Sequence, residues 1–509
     1  MVVREARRVL EGRVHVLASH LVRSETCAHN EGDERGNEER GGEVVVIGGI
    51  LVDILASTSG RDAGAVRAGG SVPGHVRAVQ GGVGANVAAA VKLISEAASQ
   101  SRYDALAPLL VSMVGADVLG RSLIDEWRTL GLSTRGIVMT SGGTERTPTL
   151  VSIFDSGGEV AASIADVHSL ETGFVEDMCV IVIISLFGRR KDARMYTHTH
   201  THTCSISHCE YCSYYMHGRM CLTGNSCSCL LTYVWFGRVY ATHRISRFDV
   251  DIRRAAVTVL DANLSERVLS HAAALACTPS RKASTRKTHV WFEPVSVAKS
   301  RRFRGIVRRH GVLLDYVSPN VAELVAMANA LREPISEDKD RFRIDSKHTS
   351  SLHNSSIDER VSPDSADTIL FSVMDEANTV LESGVRCIIL TMGEHGAAAI
   401  TRAHDGRSLH ATVVPAITVD TIVNVHGAGD ALAGGCISGI VHGMGLTQAL
   451  ARGVAASAVA LRSEGSRISA DALRASNLHA MAASVFDRSH TVHLRLSERI
   501  IRKSQIGSV

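Results

Sequence analysis

A short segment near residue 430 combines two glycines, an aspartate and an alanine-rich stretch. Its sequence is Gly427-Ala428-Gly429-Asp430. The first amides of a helix have no intrahelical partner, so a helix that begins here can bind an anion. A carboxylate at the same turn can take a proton from a hydroxyl while those amides stabilise a transferred phosphoryl group. The segment predicts a phosphotransfer site; the alternative is a glycine-rich turn in which Asp430 only complements the helix dipole.

A second glycine-rich turn includes Gly81, Gly82 and Asn86 and precedes another alanine-rich stretch. Asp53 lies upstream, after the first strand-like run. Glycines let a polyol lie against the backbone, and Asp53 and Asn86 have side chains that bind hydroxyls. The turn differs from the dinucleotide-binding G-x-G-x-x-G, and no Gly-Lys-Ser/Thr occurs in the chain, which disfavours both nucleotide-binding folds that use those motifs.

These turns lie within an alternating pattern of apolar runs and helical stretches that begins at Val44. Alternation of this kind predicts a mostly parallel sheet with helices on both faces. Strands are predicted near 44–47, 109–114, 149–154, 256–260, 290–292, 311–316 and 387–390, and helices near 87–98, 120–130, 322–331 and from 430 onward. The run 179–184 competes with 256–260 for one central strand position.

Composition excludes several classes of protein. The 509 residues contain 55 Lys and Arg against 52 Asp and Glu, a net charge of +3, which argues against a nonspecific nucleic-acid binder. No apolar run approaches the roughly 18 residues of a membrane span, so no membrane partner is expected. The 11 cysteines, an odd number without a secretory signal, favour a cytoplasmic protein; an arginine-containing amino terminus leaves a mitochondrial presequence as the alternative.

Composition also suggests how the chain is organised. Residues 1–42 are polar and glycine-punctuated and are expected to form a disordered leader. A single domain is expected at 43–475, with a polar surface insertion at 337–363 and a carboxyl-terminal tail at 476–509.

Residues 185–250 do not fit this organisation. They contain a His-Thr repeat at 197–203, six of the 11 cysteines and no helical or strand periodicity. Cys209 and Cys212 have metal-ligand spacing, so a metal site is one interpretation. The favoured interpretation is a retained intron or a gene-model error, because alternating His and Thr is what a CA dinucleotide repeat encodes.

Taken in order, the motifs match a known family. Its pieces are Gly48-Gly49 to Asp53, Gly81-Gly82-x-Gly84-x-Asn86, Val114-Gly115-Ala116-Asp117-x-x-Gly120, Thr147-Pro148-Thr149-Leu150, Asp261-Ala262-Asn263, Phe292-Glu293-Pro294-Val295-Ser296, Ser318-Pro319-Asn320-x-x-Glu323, Thr391-Met392-Gly393-x-x-Gly396 and Gly427-Ala428-Gly429-Asp430. Over about Val44 to Gly465 the chain resembles the PfkB (ribokinase-like) carbohydrate kinases, and among them it is most similar to those that act on pseudouridine. The resemblance implies an α/β fold, a ribokinase-like three-layer α/β/α sandwich with a small β-sheet lid near 66–79 and 147–162.

The resemblance also implies roles for individual residues. Asp430 would be the catalytic base, and the backbone of Gly427, Ala428 and Gly429 would form the anion hole. The remaining roles are substrate binding by Asp53, Gly81, Gly82, Asn86 and Thr149, ATP binding by Asn320, Thr391, Gly393 and Gly396, and magnesium binding by Glu323. The chain departs from the family pattern at His426, where a small hydroxyl residue is usual, and at Asn424, where most sugar kinases have Asp.

The implied reaction is ATP-dependent phosphorylation of the 5′-hydroxyl of pseudouridine, with ATP and Mg²⁺ as cofactors. A kinase for another nucleoside or sugar is one alternative. A catalytically inactive kinase-fold binding protein is another, since residues 185–250 fall beside a central strand. A small-molecule nucleoside or sugar is the expected partner, and the resemblance further implies a homodimer and a functional link to a pseudouridine-phosphate glycosidase.

Overall fold

The structure is a computed structural model. It describes residues 43–58, 73–98, 105–140, 146–154, 160–172, 176–187, 194–203, 216–221, 230–241, 243–278, 288–308, 312–334 and 365–496. The leader expected at 1–42, the insertion expected at 337–363, and Cys209 and Cys212 lie outside these ranges. Within them, no helix is both long and apolar enough to cross a bilayer.

The strands run along nearly the whole described chain. In chain order they are β1 Val44–Ile47, β2 Leu51–Thr58, β3 Gly74–Gly81, β4 Leu109–Val114, β5 Ile137–Met139, β6 Thr149–Phe154, β7 Val160–Asp166, β8 Glu176–Phe187, β9 Arg194–Thr203, β10 Met216–Cys221, β11 Leu230–Ala241, β12 Val257–Asp261, β13 His289–Glu293, β14 Leu314–Val317, β15 Val385–Thr391, β16 Ala397–Arg402, β17 Ser408–Val414 and β18 His490–Arg495.

Helices alternate with these strands. In chain order they are α1 Val83–Ala98, α2 Val118–Thr129, α3 His168–Thr172, α4 His243–Ser246, α5 Asp249–Arg254, α6 Glu266–Cys277, α7 Val297–Ser300, α8 Phe303–Val307, α9 Val321–Arg332, α10 Ala366–Ser372, α11 Met374–Glu382, α12 Ala428–Val441, α13 Leu446–Ala460, α14 Ala470–Ala475 and α15 Leu478–Phe486. The expected alternation is therefore confirmed, but the continuous helix expected from residue 430 onward is several helices. A turn with Gly443 at a φ of 77° separates α12 from α13.

The larger of two compact units comprises Arg40–Gly173 and Phe248–Val509 and is built on a ten-stranded sheet. The strand order is β18-β17-β16-β15-β14-β13-β12-β1-β4-β5. Pairing is parallel from β5 to β15 and antiparallel from β15 to β18. Every residue of β1 is buried, because helices cover both faces of a central parallel strand.

The contested central position is filled by β12. Its residues pair in parallel with β1, from Val44 opposite Val257 to Ile47 opposite Leu260. The run 179–184 instead belongs to β8, outside the main sheet. The sheet is continuous, so the unpaired strand that motivated the inactive-protein alternative is not present among the described strands.

A separate four-stranded sheet in the same unit has the order β3-β2-β6-β7. Its strands β3, β6 and β7 include the described parts of the two segments expected to form the lid, and it also contains β2, which follows β1 after a two-glycine turn. Because Asp53 lies in β2 and pairs with Leu150 of β6, this sheet carries one of the expected substrate-binding residues directly.

The carboxyl-terminal segment expected to be a tail supplies α15 and β18. Val492 and Leu494 of β18 are buried, while the residues between and around them are exposed. This alternation is typical of an edge strand with one face on the core. Two histidines among six residues weaken the apolar signal, which explains why the sequence did not predict a strand here.

The smaller unit includes residues 174–247, and its described strands form a second four-stranded sheet. Its order is β10-β11-β8-β9, and every pair is antiparallel. The His-Thr repeat lies in β9. The interpretation of residues 185–250 as a retained intron or a gene-model error stays a prediction.

Candidate active site

Polar residues end or follow four neighbouring parallel strands of the main sheet. Asp261 ends β12, Glu293 ends β13, Asn320 follows β14 and Thr391 ends β15. Parallel strands finish at the same edge of a sheet, where α/β proteins bind their ligands. Helix α12 begins at this edge, because its Asp430 accepts a hydrogen bond from Asn86 of α1, and Gly84 of α1 donates to Asp261 at the end of β12.

Asp430 lies in the first turn of α12 and is held by a residue from a distant part of the chain. Asn86 Nδ2 donates a hydrogen bond to Asp430 Oδ2 at 2.8 Å. Asp430 is only partly exposed, and the surrounding protein removes enough water to raise the pKa of its carboxyl to about 7. The bond from Asn86 lowers this pKa, whereas the charges of Asp261, Asp53 and Glu323 raise it. A carboxyl with this pKa can exchange a proton near neutral pH.

The turn before α12 has a geometry that requires glycine. Gly427 has a φ of 76°, and a Cβ at this position would lie 2.0 Å from the carbonyl oxygen of Ser466. The helical hydrogen bonds begin with Ala431 N to Gly427 O at 2.9 Å, so the amides of Ala428, Gly429 and Asp430 precede the ladder. A Cβ on Gly429 would meet nothing within 4 Å. Space is therefore open in the Cβ direction of Gly429, next to three amides that have no intrahelical partner.

Asp53 lies close to Asp430 on the lid strand β2. Burial raises the pKa of Asp53, while Ser466 and the charge of His426 lower it. Its Oδ1 atom is buried without a hydrogen-bond partner among the described residues, as are Asn86 Oδ1 and His426 Nε2. Such atoms carry a desolvation cost until a partner arrives, so they fit a polyhydroxylated ligand.

Close approach of the backbone explains the glycine beside Asp53. A Cβ on Gly81 would lie 2.1 Å from Asp53 Oδ2.

The His426 ring contacts Phe154 of β6 edge to face, with centroids 5.6 Å apart. Residues of the lid and of the turn before α12 therefore line the same region. His426, which the sequence marked only as a departure from the family, joins the two.

The Asp261 carboxylate connects the turn after β1, the start of α1 and the turn after β12 by hydrogen bonds. Its Oδ2 accepts hydrogen bonds from Gly49 N at 2.8 Å and Gly84 N at 3.0 Å, and its Oδ1 accepts from Asn263 N and Nδ2, both at 2.8 Å. Burial nevertheless raises its pKa. With four donors on a fully buried carboxyl, Asp261 fixes the turn after β1 and the start of α1, and through α1 it fixes Asn86.

Glu293 was quoted in the sequence as part of a motif but not assigned a role. Ser318 Oγ and Trp291 Nε1 donate to its Oε2 atom, the latter at 3.4 Å. The sequence contained a signal for Asp261 and Glu293, because each follows an apolar run that predicts the carboxyl end of a strand. What the sequence lacked was the knowledge that the two strands are neighbours.

Asn320 and Glu323 form a reciprocal cap at the start of α9. Glu323 N donates to Asn320 Oδ1 and Asn320 N donates to Glu323 Oε2, both at 2.9 Å. Thr391 lies beside them, since Thr391 N donates to Pro319 O at 3.0 Å. The capping role that competes with ligand binding is thus real for both residues. Burial raises the pKa of Glu323.

The remaining predicted residues occupy turns and a lid strand. Gly393 and Gly396 have φ values of 57° and 91° in the turn between β15 and β16, next to Thr391. Gly82 has a φ of 101° at the start of α1. The Thr149 hydroxyl donates to Thr147 O at 3.1 Å, so its observed partner is the local backbone.

The fold has counterparts among solved structures. A ribokinase from Giardia lamblia matches with a TM-score of 0.51 and 12% identity, covering 88% of this chain and 99% of that one. A carbohydrate kinase from Agrobacterium tumefaciens matches with a TM-score of 0.50 and 17% identity, covering 89% and 99%. These likenesses confirm the ribokinase-like α/β fold.

Residues 42–173 and 369–473 match the model of the pfkB family carbohydrate kinases. Over these two ranges the chain is similar to the pfkB family carbohydrate kinases. It is accordingly an enzyme of a kinase family that uses ATP to phosphorylate small molecules. A pseudouridine kinase of Arabidopsis thaliana is 24% identical over 467 residues, which cover 83% of this chain and 91% of that protein.

The similarity to the pfkB family raises the question whether the site fits magnesium. Among the described residues no group of three or more His, Cys, Asp or Glu side chains could hold a metal ion directly. Burial raises the pKa of Glu293 and of Asp430, and the charge of Glu323 raises both further; all three have carboxyl oxygens of the kind that Mg²⁺ prefers. Because Glu323 Oε2 already accepts a backbone hydrogen bond, the residues fit an ion that keeps most of its waters and binds chiefly to nucleotide phosphates.

Proposed function

We propose that this pfkB-family enzyme transfers the γ-phosphoryl group of ATP to the 5′-hydroxyl of pseudouridine, giving pseudouridine 5′-phosphate and ADP. The observation that carries the phosphotransfer chemistry is the 2.8 Å hydrogen bond from Asn86 to Asp430, next to amides that precede the α12 ladder. The choice of pseudouridine is supported by the similarity to the Arabidopsis thaliana pseudouridine kinase.

In the proposed reaction the acceptor hydroxyl lies against Asp430. With its pKa near 7, the carboxylate accepts the hydroxyl proton as the oxygen bonds to phosphorus and the bond to ADP breaks. The amides of Ala428, Gly429 and Asp430 stabilise the charge on the phosphoryl oxygens. Asn86 holds one carboxylate oxygen and leaves the other free for the hydroxyl.

We assign ATP binding to residues at or just after the ends of β14 and β15. Thr391, Gly393 and Gly396 would contact the ATP phosphates and ribose, and Asn320 would contact phosphate. Mg²⁺ supplies positive charge that neutralises the phosphates, and Glu323 would bind it through one of the waters. The acceptor would be held by Asp53, Gly82 and Asn86, and the unpartnered side-chain oxygens of Asp53 and Asn86 would accept hydrogen bonds from sugar hydroxyls.

A panel of acceptors tests this proposal. Purified full chain with labelled ATP and Mg²⁺ is offered pseudouridine, uridine, adenosine, ribose and fructose. We expect kcat/KM for pseudouridine to exceed that for each other acceptor by about tenfold or more, which corresponds to ~1.4 kcal/mol. Equal or faster turnover of another acceptor contradicts the substrate while leaving the phosphotransfer mechanism in place; no turnover of any acceptor contradicts both.

The carbon-linked base of pseudouridine gives a matched comparison with uridine. The two nucleosides share the ribose and its 5′-hydroxyl, so a difference between them reports recognition of the base alone. A higher kcat/KM for pseudouridine than for uridine would therefore place the specificity at the base rather than at the ribose contacts of Asp53 and Asn86.

A further inference from the structure

A cavity of about 950 Å³ lies among the carboxyl-terminal end of α1, the turn before α13 and the helices α13 to α15. None of its lining residues belongs to the candidate active site. The volume falls within the range of small-molecule sites, about 300–1,000 Å³. Its wall is largely apolar and includes Ala451, Leu473, Leu478 and Phe486. The reaction proposed above makes no use of it.

Arg452 lines this cavity and is a buried charge without an acidic partner. Its exposed fraction is 8%, and burial lowers the pKa of its guanidinium. Among the described residues its hydrogen bonding amounts to one long contact, from Nη1 to Ser438 Oγ at 3.4 Å. Its other nitrogens are not among the described buried atoms without a partner, and the Arg452 residue lines the cavity.

A buried guanidinium that lacks an anion carries the desolvation penalty of any buried, unpaired ion. The lining residues include Arg474 and His479 but no Asp or Glu. Arg474 already pairs with Asp471 at 2.7 Å and is exposed, so Arg452 is the charge in need of a partner. The cavity is therefore complementary to a negatively charged group attached to an apolar body.

We propose that this cavity binds a small amphipathic organic anion, whose carboxylate or phosphate group pairs with Arg452 and whose apolar body packs against Leu473 and Leu478. Arginine binds either group through two parallel hydrogen bonds. Ser438 lies eight residues after Asp430 on α12, ~12 Å along the helix axis. The site is thus distinct from the phosphotransfer site.

Binding to the full chain by calorimetry, with no nucleotide or substrate present, tests the proposal. The probes are phenylacetate, phenyl phosphate and the uncharged phenylacetamide. We expect at least one acid to bind with a Kd below about 1 mM and the amide to bind at least about tenfold more weakly. The tighter of the two acids identifies carboxylate or phosphate as the preferred group.

Variants locate the binding. Arg452→Met should weaken the acid at least about tenfold, whereas the control Arg474→Met, on an exposed arginine of the same cavity, should change Kd by less than about threefold. Ala482→Leu, at a half-buried residue of the lining, keeps Arg452 but fills space and should also weaken binding, which provides a second test should Arg452→Met fail to fold. The proposal is overturned if neither acid binds at about 10 mM, if the amide binds equally well, or if the binding persists in Arg452→Met.

Discussion

Replacing Asp430 with Asn should abolish catalysis and stabilise the protein at the same time. The substitution keeps the shape of the side chain and an oxygen that can accept the hydrogen bond from Asn86 Nδ2. It removes the group that accepts the substrate proton, a contribution of about 10²–10⁴ in rate. We therefore expect kcat to fall by about a thousandfold, with ATP affinity nearly unchanged.

The stability effect follows from the raised pKa. The ordinary carboxyl value is 3.8 and the value in the folded protein is about 7, a difference that at ~1.36 kcal/mol for each tenfold change in acidity corresponds to an upper limit of ~4 kcal/mol. Because the folded pKa is the higher one, the folded state holds its proton more tightly. The penalty for ionising Asp430 is absent below pH 3.8, grows as the pH rises toward 7 and is constant above that.

Urea unfolding of both proteins at several pH values measures this penalty. The free energy of unfolding of Asp430→Asn, minus that of the unmodified protein, should increase between pH 4.5 and 7.5 by about 1–3 kcal/mol once partial exposure is allowed for. Asp471→Asn, at an exposed residue, is the control and should show no such trend. A kcat within tenfold of the unmodified protein would refute the role of Asp430 as base, and a pH-independent difference in stability would refute its raised pKa.

Three further substitutions test the parts of the site. Asn86→Ala removes the hydrogen bond that lowers the pKa of Asp430, so the acidic limb of the kcat/KM profile should move to higher pH, measured by steady-state kinetics; an unmoved limb contradicts the contact. Gly427→Ala should destabilise the protein by about 2 kcal/mol or more because φ is 76° and the new Cβ meets Ser466 O. Gly406→Ala, at a φ of 62° with nothing within 4 Å, should cost only about 1 kcal/mol by denaturant unfolding; equal costs would show that the collision is relieved. Asp261→Asn replaces one acceptor oxygen with a donor among four N–H groups and should lower the free energy of unfolding by about 2–4 kcal/mol, and a change below about 0.5 kcal/mol would contradict the organising role of Asp261.

The sequence could predict features that depend on local chemistry. The start of α12 was predicted from two glycines and an aspartate, and the start of α1 from the glycines before Asn86, because helix starts need particular backbone angles and unpaired amides. Alternating apolar runs predicted the fold class for a similar reason, since each buried parallel strand needs a continuous apolar segment.

Contacts between distant residues could be decided only by the folded chain. Asn86 and Asp430 are separated by 344 positions, and the sequence assigned them to sugar binding and proton transfer without indicating that they touch. The choice of β12 over 179–184 for the central position is of the same kind, because both are apolar runs and only pairing with β1 distinguishes them. The pKa of Asp430 and the unpaired charge of Arg452 likewise arise from desolvation by residues far along the chain, which no local pattern encodes.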